Sequence, residues 1–253
     1  MRFVPLAAAL AAACALMGCK AVSKMDTDAL MGAGGSAYQA MSLTDADVVT
    51  MSNESCAAMD KQSQVAPASS PYTQRLTRAI RGMPDTVNGK KADYKVYMTK
   101  EVNAWAMANG CIRVYSGLMD LMNDDELRGV IGHEIGHVAL GHTKGAMQAA
   151  AAASALRGAS GSAGGVIGQL SQSQAGELAE KFINAQFSQT QESAADDYSF
   201  DLLTQAKLER KGLVTAFQKL AKLGGSSGSS MMSSHPPSAE RAARMQKRID
   251  AGK

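Results

Sequence analysis

The chain has 253 residues, enough for a sizeable buried core, with 26 Lys and Arg against 23 Asp and Glu and a net charge of +3. The two signs are interspersed and no basic block occurs, which speaks against a nucleic-acid partner. Aromatic residues make up only 5% while methionine reaches 16, and core filling is preferred over a promiscuous Met-rich surface as its use.

Arg2 precedes an apolar run from Phe3 to Met17, about the length of a signal-peptide core and too short to span a bilayer. The run ends in Leu16-Met17-Gly18-Cys19, which resembles a bacterial lipobox. Residues 1–18 are then expected to be removed, and Cys19 to carry lipid on its sulfur and its new amino group. Met17 is a less usual residue at its position, and an ordinary secretory signal with incidental cysteines is the alternative. Lys20, where an aspartate would retain the protein, resembles lipoproteins sent on to the outer membrane. The expected location is therefore the outer membrane, facing the periplasm, held by acyl chains without a transmembrane helix. Residues 19–36 read as a lipidated tether and residues 37–253 as a single domain. Cys14 leaves with the signal and Cys19 is consumed by lipid, so Cys56 and Cys111 remain. In an oxidising compartment these two read as one disulfide, with two buried free thiols as the alternative.

Residues 42–62 are expected to be helical, entered through Thr44-Asp45-Ala46-Asp47, and Tyr72 to Met83 form a second helix after the Pro67 and Pro71 breaks. Asp93 to Thr99 alternates Tyr94, Val96 and Met98 and predicts a strand. Residues 104–115, with Asn109-Gly110 between two apolar runs, predict a hairpin with a two-residue turn.

Asn123-Asp124-Asp125-Glu126 has the form of a helix start, with Asn123 as cap and Glu126 three residues on. Leu127, Val130, Ile131, Ile135 and Val138 recur at helical spacing and bury one side. On this helix lies His133-Glu134-Ile135-Gly136-His137. Residues four apart stand one turn apart on one face, so both imidazoles reach one metal ion. Glu134, about 100° further round, is placed to take a proton from water beside that ion. Gly132 and Gly136 cost roughly 1 kcal/mol each in propensity, which suggests that another backbone or a ligand approaches there. The helix is expected to end near Gly141 or Gly145.

Two histidines leave a catalytic zinc one protein ligand short. His142 lies five residues past His137, about 140° away on a continued helix, and reads as a solvated or capping histidine. Glu192, in Gln191-Glu192-Ser193-Ala194-Ala195-Asp196, is the better third ligand, although alone this run reads as an acidic surface. It sits on an expected helix whose small Ala194 and Ala195 permit close packing, with Asp196 one turn on, placed to hydrogen-bond a ligating imidazole. Residues 146–175 are rich in Ala, Gly, Ser and Gln: helical near 149–156, loose over 158–168, either a flap over the cleft or a plain connection. A Gly/Ser stretch from Leu223 leads into His235-Pro236, as an arm carrying a histidine toward the metal.

HExxH followed by E-x-x-A-D resembles the HtpX-like gluzincin zinc metallopeptidases, and in particular their periplasmic lipoprotein members. The likeness runs from about Tyr38 to Arg248 and includes Val102-Asn103-Ala104, Asn109-Gly110-Cys111-Ile112 and His235-Pro236 with Arg241. The resemblance implies an α+β, mainly helical zincin-like domain with a small hairpin or sheet beside the HExxH helix. It implies one zinc per chain on His133, His137 and Glu192, Glu134 as general base and acid, and polypeptide substrates, here misfolded or unassembled envelope proteins. His235 and Arg241 inherit places near the active site. His235 is expected either to stabilise the oxyanion or to occupy the open position of zinc at rest, and His235, Arg241 and Tyr198 are, in that order, the candidate oxyanion donors. Asn103, Ala104 and Met107 are the candidate strand edge for substrate, a plain structural hairpin being the alternative. Relatives with transmembrane helices around the catalytic helix differ from this chain. A zinc-gated chaperone or assembly factor for outer-membrane proteins is the rival reading, and hydrolysis of cell-wall cross-links a third.

Overall fold

The computed structural model describes residues 38, 40–158, 170–223, 234–235 and 239–252. The expected signal, Cys19 and the expected tether lie outside these residues, as do 159–169 and most of the Gly/Ser stretch before His235. The chain divides into two compact units, residues 1–42 with 151–168, and residues 43–150 with 169–253. The described residues of the first are a helical turn, closed by the Ser42 N–H on the Tyr38 carbonyl at 3.1 Å, and the end of a helix at 151–158.

In the second unit Thr44 caps α1 (Asp45–Gln62). Its hydroxyl accepts from the Asp47 N–H at 3.2 Å while the Asp47 carboxylate accepts from the Thr44 N–H at 2.9 Å, which satisfies two otherwise free amides. Ser70 caps α2 (Pro71–Ala79), which ends before the expected Met83. Asn88 and Gly89, both in the left-handed region at φ 48° and 73°, turn β1 (Thr86–Val87) into β2 (Lys90–Lys91).

β3 (Asp93–Tyr97), β4 (Ala104–Ala106) and β5 (Cys111–Tyr115) form a sheet in the order β3-β5-β4, with β3 parallel and β4 antiparallel to β5. The β4–β5 connection corrects the expected two-residue turn. The Met107 N–H bonds the Cys111 carbonyl at 2.9 Å, so Ala108, Asn109 and Gly110 form a three-residue loop. Gly110, at φ 86°, absorbs the extra residue.

Cys56 on α1 and Cys111 on β5 form a disulfide spanning 55 residues, worth about 4 kcal/mol in the chain-entropy account. Beside it Arg113 is fully buried. Its guanidinium donates to the two Asp60 oxygens at 2.8 and 2.9 Å, to Asp93 Oδ2 at 2.9 Å and to Cys56 Sγ at 3.0 Å. A buried guanidinium persists only when paired, and this one joins α1 to the sheet.

After α3 (Ser116–Leu121) comes α4 (Asp124–Ala139), the helix of His133 and His137. Asn123 and Glu126 close the expected reciprocal cap at 2.9 and 2.8 Å, and Leu127, Val130, Ile131, Ile135 and Val138 are all buried. α5 (His142–Gly158), α6 (Gln172–Ile183), α7 (Gln189–Gln205), α8 (Lys211–Leu223) and α9 (Ala239–Asp250) follow. α4 packs against α7, α8 and β4, and α8 packs against α9. Gly132 and Gly136 mark the closest approach of α7: a Cβ on Gly136 would lie 3.1 Å from the Ala195 carbonyl oxygen, and one on Gly132 2.6 Å from Ser199 Oγ. The residues that weaken the helix therefore let α7 come near enough to deliver its carboxylates. The architecture is α+β and mostly helical, with the sheet beside α4. No helix among the described residues is long and apolar enough to cross a membrane.

Candidate metal centre

α4 carries His133 and His137 on one face, both buried, and α7 presents Glu192 and Asp196 opposite them, also buried. His235 comes in from outside these helices and is held there by its neighbour, whose carbonyl accepts the Phe187 N–H at 3.2 Å. His133, His137, Glu192 and His235 each offer one ligand atom, and these four lie within 4.8 Å of one another.

The donor spacings decide whether a metal fits. His137 Nε2 lies 3.1 Å from His133 Nε2 and 3.2 Å from Glu192 Oε1; His235 Nδ1 lies 3.3 Å from His133 Nε2 and 2.9 Å from Glu192 Oε1. Four donors about 2.0–2.1 Å from one tetrahedral ion stand about 3.3 Å apart. Three imidazoles and a carboxylate converging at this spacing suit zinc in charge, ligand type and size.

Ligand orientation is built in behind the donors. His133 Nδ1 lies 2.9 Å from Asp196 Oδ1, so the ring can turn its other nitrogen to the cluster. The Arg241 guanidinium meets Glu192 Oε2 at 2.6 Å, Asp196 Oδ1 at 2.6 Å and Asp196 Oδ2 at 2.9 Å, and lies over the Phe217 ring at 4.2 Å. Arg241 thus faces the carboxylates, a geometry that suits positioning them rather than the oxyanion role for which it was the second candidate. Tyr198 packs at Gly136.

Burial and charge set the protonation of the metal-free cluster. Burial pushes the His137 pKa down to about 2, so this imidazole is neutral and can offer a lone pair. Burial pushes Glu134 up. For Glu192 burial is outweighed by His133, His137 and His235, which hold its carboxyl well below the usual range. For His235 burial is outweighed by Glu134 and Glu192, and its pKa is raised. Glu134 Oε1 is buried without a hydrogen-bond partner and lies 3.7 Å from His235 Nε2. A bare carboxylate oxygen beside the donor cluster is the arrangement a general base needs.

Two contacts were not legible in the sequence. His142, expected to be solvated or capping, is half-buried with Nδ1 3.0 Å from His137 Nδ1. The Phe187 ring stacks on His137 with centroids 4.0 Å apart; no motif marked it. Of the expected substrate edge, Asn103 and Met107 use main-chain groups toward β5: Asn103 O accepts from Tyr115, and Met107 N–H donates to Cys111. By alternation Ala104 and Ala106 point theirs to the side of β4 away from β5, with the Ala104 N–H taken by Asn103 Oδ1 at 2.9 Å.

A helix-borne histidine pair, a carboxylate from a second helix and a bare glutamate beside them define a metallopeptidase. The chain belongs to peptidase family M48, whose model matches residues 71–249. It is 52% identical to Metalloprotease LoiP of Escherichia coli (strain K12) over 251 residues, 99% of this chain and 98% of that protein. It is 49% identical to Metalloprotease YcaL of the same organism over 254 residues, covering both chains completely. Protease HtpX of Actinobacillus pleuropneumoniae serotype 5b (strain L20) is 33% identical over 72 residues, 27% of this chain and 25% of that one. The protein is a metalloprotease, and its substrates are polypeptides.

Proposed function

We propose that this chain is a zinc metalloendopeptidase, anchored through lipid on Cys19 to the outer membrane, that cleaves misfolded or unassembled envelope proteins in the periplasm. The observation that carries the catalytic part is the convergence of His133, His137 and Glu192 donors beside the unpartnered Glu134 Oε1. The anchor and location rest on the Leu16-Met17-Gly18-Cys19 sequence, with residues 1–18 as signal and 19–36 as tether.

In this reading His133, His137 and Glu192 hold the metal. When bound, zinc supplies a Lewis acid that polarises the scissile carbonyl and makes water more acidic. Glu134 takes a proton from the attacking water and returns it to the leaving amine nitrogen. Asp196 accepts from His133, and Arg241 holds Glu192 and Asp196 in place. Substrate lies as an added strand along Ala104 and Ala106, and its carbonyl displaces Asn103 Oδ1 from the Ala104 N–H. That pairing reads main chain and is tolerant of sequence, as a scavenger of unassembled proteins requires.

His235 fills a fourth donor position in the arrangement described, so it must withdraw before water and substrate enter. His235→Ala is expected to weaken zinc binding roughly 10-fold or more while raising turnover of casein. Wild-type values for both would remove His235 from the site. The same closed geometry favours the rival reading, a zinc-gated chaperone or assembly factor, but such a protein has no use for the bare Glu134 carboxylate.

The primary test is zinc content and casein cleavage of residues 20–253. One zinc per chain, with cleavage abolished by chelation and restored by zinc, is expected; a zinc-free yet active protein overturns the reading. For the anchor, Cys19→Ser is expected to abolish palmitate labelling and release the chain from the membrane fraction, and unchanged fractionation would overturn it.

A further inference from the structure

His142 stands outside the four-donor cluster but touches one member of it. α4 ends at Ala139, and the Gly141 N–H bonds the Val138 carbonyl at 3.1 Å. Gly141 then takes φ +77°, and α5 starts at His142 on a new axis. On a continued helix five residues would turn His142 about 140° away from His137. The left-handed glycine instead brings the two rings to a centroid separation of 5.0 Å, inclined at 64°, with Nδ1 to Nδ1 at 3.0 Å.

Two ring nitrogens at that distance are one donor and one acceptor. A neutral imidazole carries a single N–H, so for His137 to turn a bare Nε2 to the cluster its proton must sit on Nδ1. His142 Nδ1 is then the acceptor, and the His142 proton sits on Nε2. Asp196 stands in the same relation to the other imidazole of the helix, 2.9 Å from His133 Nδ1. Phe187, stacked on the His137 ring at 4.0 Å, limits its rotation. Each histidine of α4 thus has its own partner behind it: a carboxylate from α7 for His133, and a second imidazole from α5 for His137.

We propose that His142 is the positioning residue for His137, accepting its Nδ1–H and so fixing the tautomer and ring angle that present Nε2 to the metal. The proposal rests on the reading that His133, His137 and Glu192 hold zinc. Its consequence is an affinity set partly by a residue that never touches the ion.

The test uses shape-matched substitutions in the mature chain. Leucine resembles asparagine in size but has no acceptor, whereas Asn Oδ1 reaches the place His Nδ1 occupies. Zinc affinity by chelator competition is expected to fall about 10- to 100-fold in His142→Leu and to return to within a few-fold of wild type in His142→Asn. A purely structural role would not separate these variants in this way. Wild-type affinity in His142→Leu, or equal weakening in both, overturns the proposal. Long-range ¹⁵N–¹H correlations on the zinc-loaded wild type give a readout independent of any variant. They are expected to place the His142 proton on Nε2, and a proton on Nδ1 overturns the assignment. His137→Ala separates the two readings: wild-type zinc affinity there would reject the metal site itself, whereas lost affinity there with His142→Leu unaffected rejects only the positioning role.

Discussion

Glu134→Gln is expected to keep one zinc per chain and the wild-type melting temperature while lowering kcat by about 10³-fold or more, with KM little changed. The residue is only 4% exposed, and its Oε1 has no hydrogen-bond partner to lose. The amide fills the same volume in the same helix turn, so packing is preserved. Glutamine cannot take a proton, however, and the amine leaves poorly without one. Residual activity should reflect substrate alignment and electrophilic activation alone. Casein cleavage and zinc content measured together check this, and turnover within tenfold of wild type would remove Glu134 from the chemistry.

What the sequence made legible was local. Asn123 with Glu126 and Thr44 with Asp47 are caps whose partners lie three residues away, and both close as reciprocal boxes. HExxH is legible because helical geometry alone brings its residues together. Gly132 and Gly136 announced a close neighbour, which is α7. Met107, Met119, Met147 and Met245 are wholly buried, in line with core filling. What stayed hidden depends on distant partners or on one backbone angle. Arg113 looks like an outward strand residue until Asp60 and Asp93 are brought to it. The parallel pairing of β3 with β5 joins strands that β4 separates in the chain. His142 is misplaced by any helical projection, because Gly141 leaves the helix at φ +77°. Helix α8 carries no chemical motif, and on α9 only Arg241 was marked, through the resemblance of His235-Pro236 with Arg241.

Arg241→Leu should be the most destabilising single change at the site, costing the zinc-free protein about 3–5 kcal/mol. Arg241 is 8% exposed and pairs at once with Glu192 and Asp196, one helical turn apart on α7. Its removal leaves two buried carboxylates short of their cation. For Asp196 burial favours the neutral acid, but bonds from His133 and Arg241 outweigh it, so the folded pKa lies below the reference 3.8. A depressed carboxyl contributes stability above its unfolded pKa and loses that contribution as pH falls through the folded value. In the wild type this loss therefore belongs below about pH 4. With Arg241 gone burial is less opposed, the folded pKa rises, and the acid-unfolding midpoint should move to higher pH. Arg241→Lys, which keeps the charge but not the two-pronged geometry, should fall between. Denaturant and acid titrations of the chelator-treated protein read both effects. An arginine that served only the oxyanion would leave the zinc-free titrations unmoved, so coincident curves for wild type and Arg241→Leu would return Arg241 to the catalytic step and leave the two carboxylates held by the histidines alone.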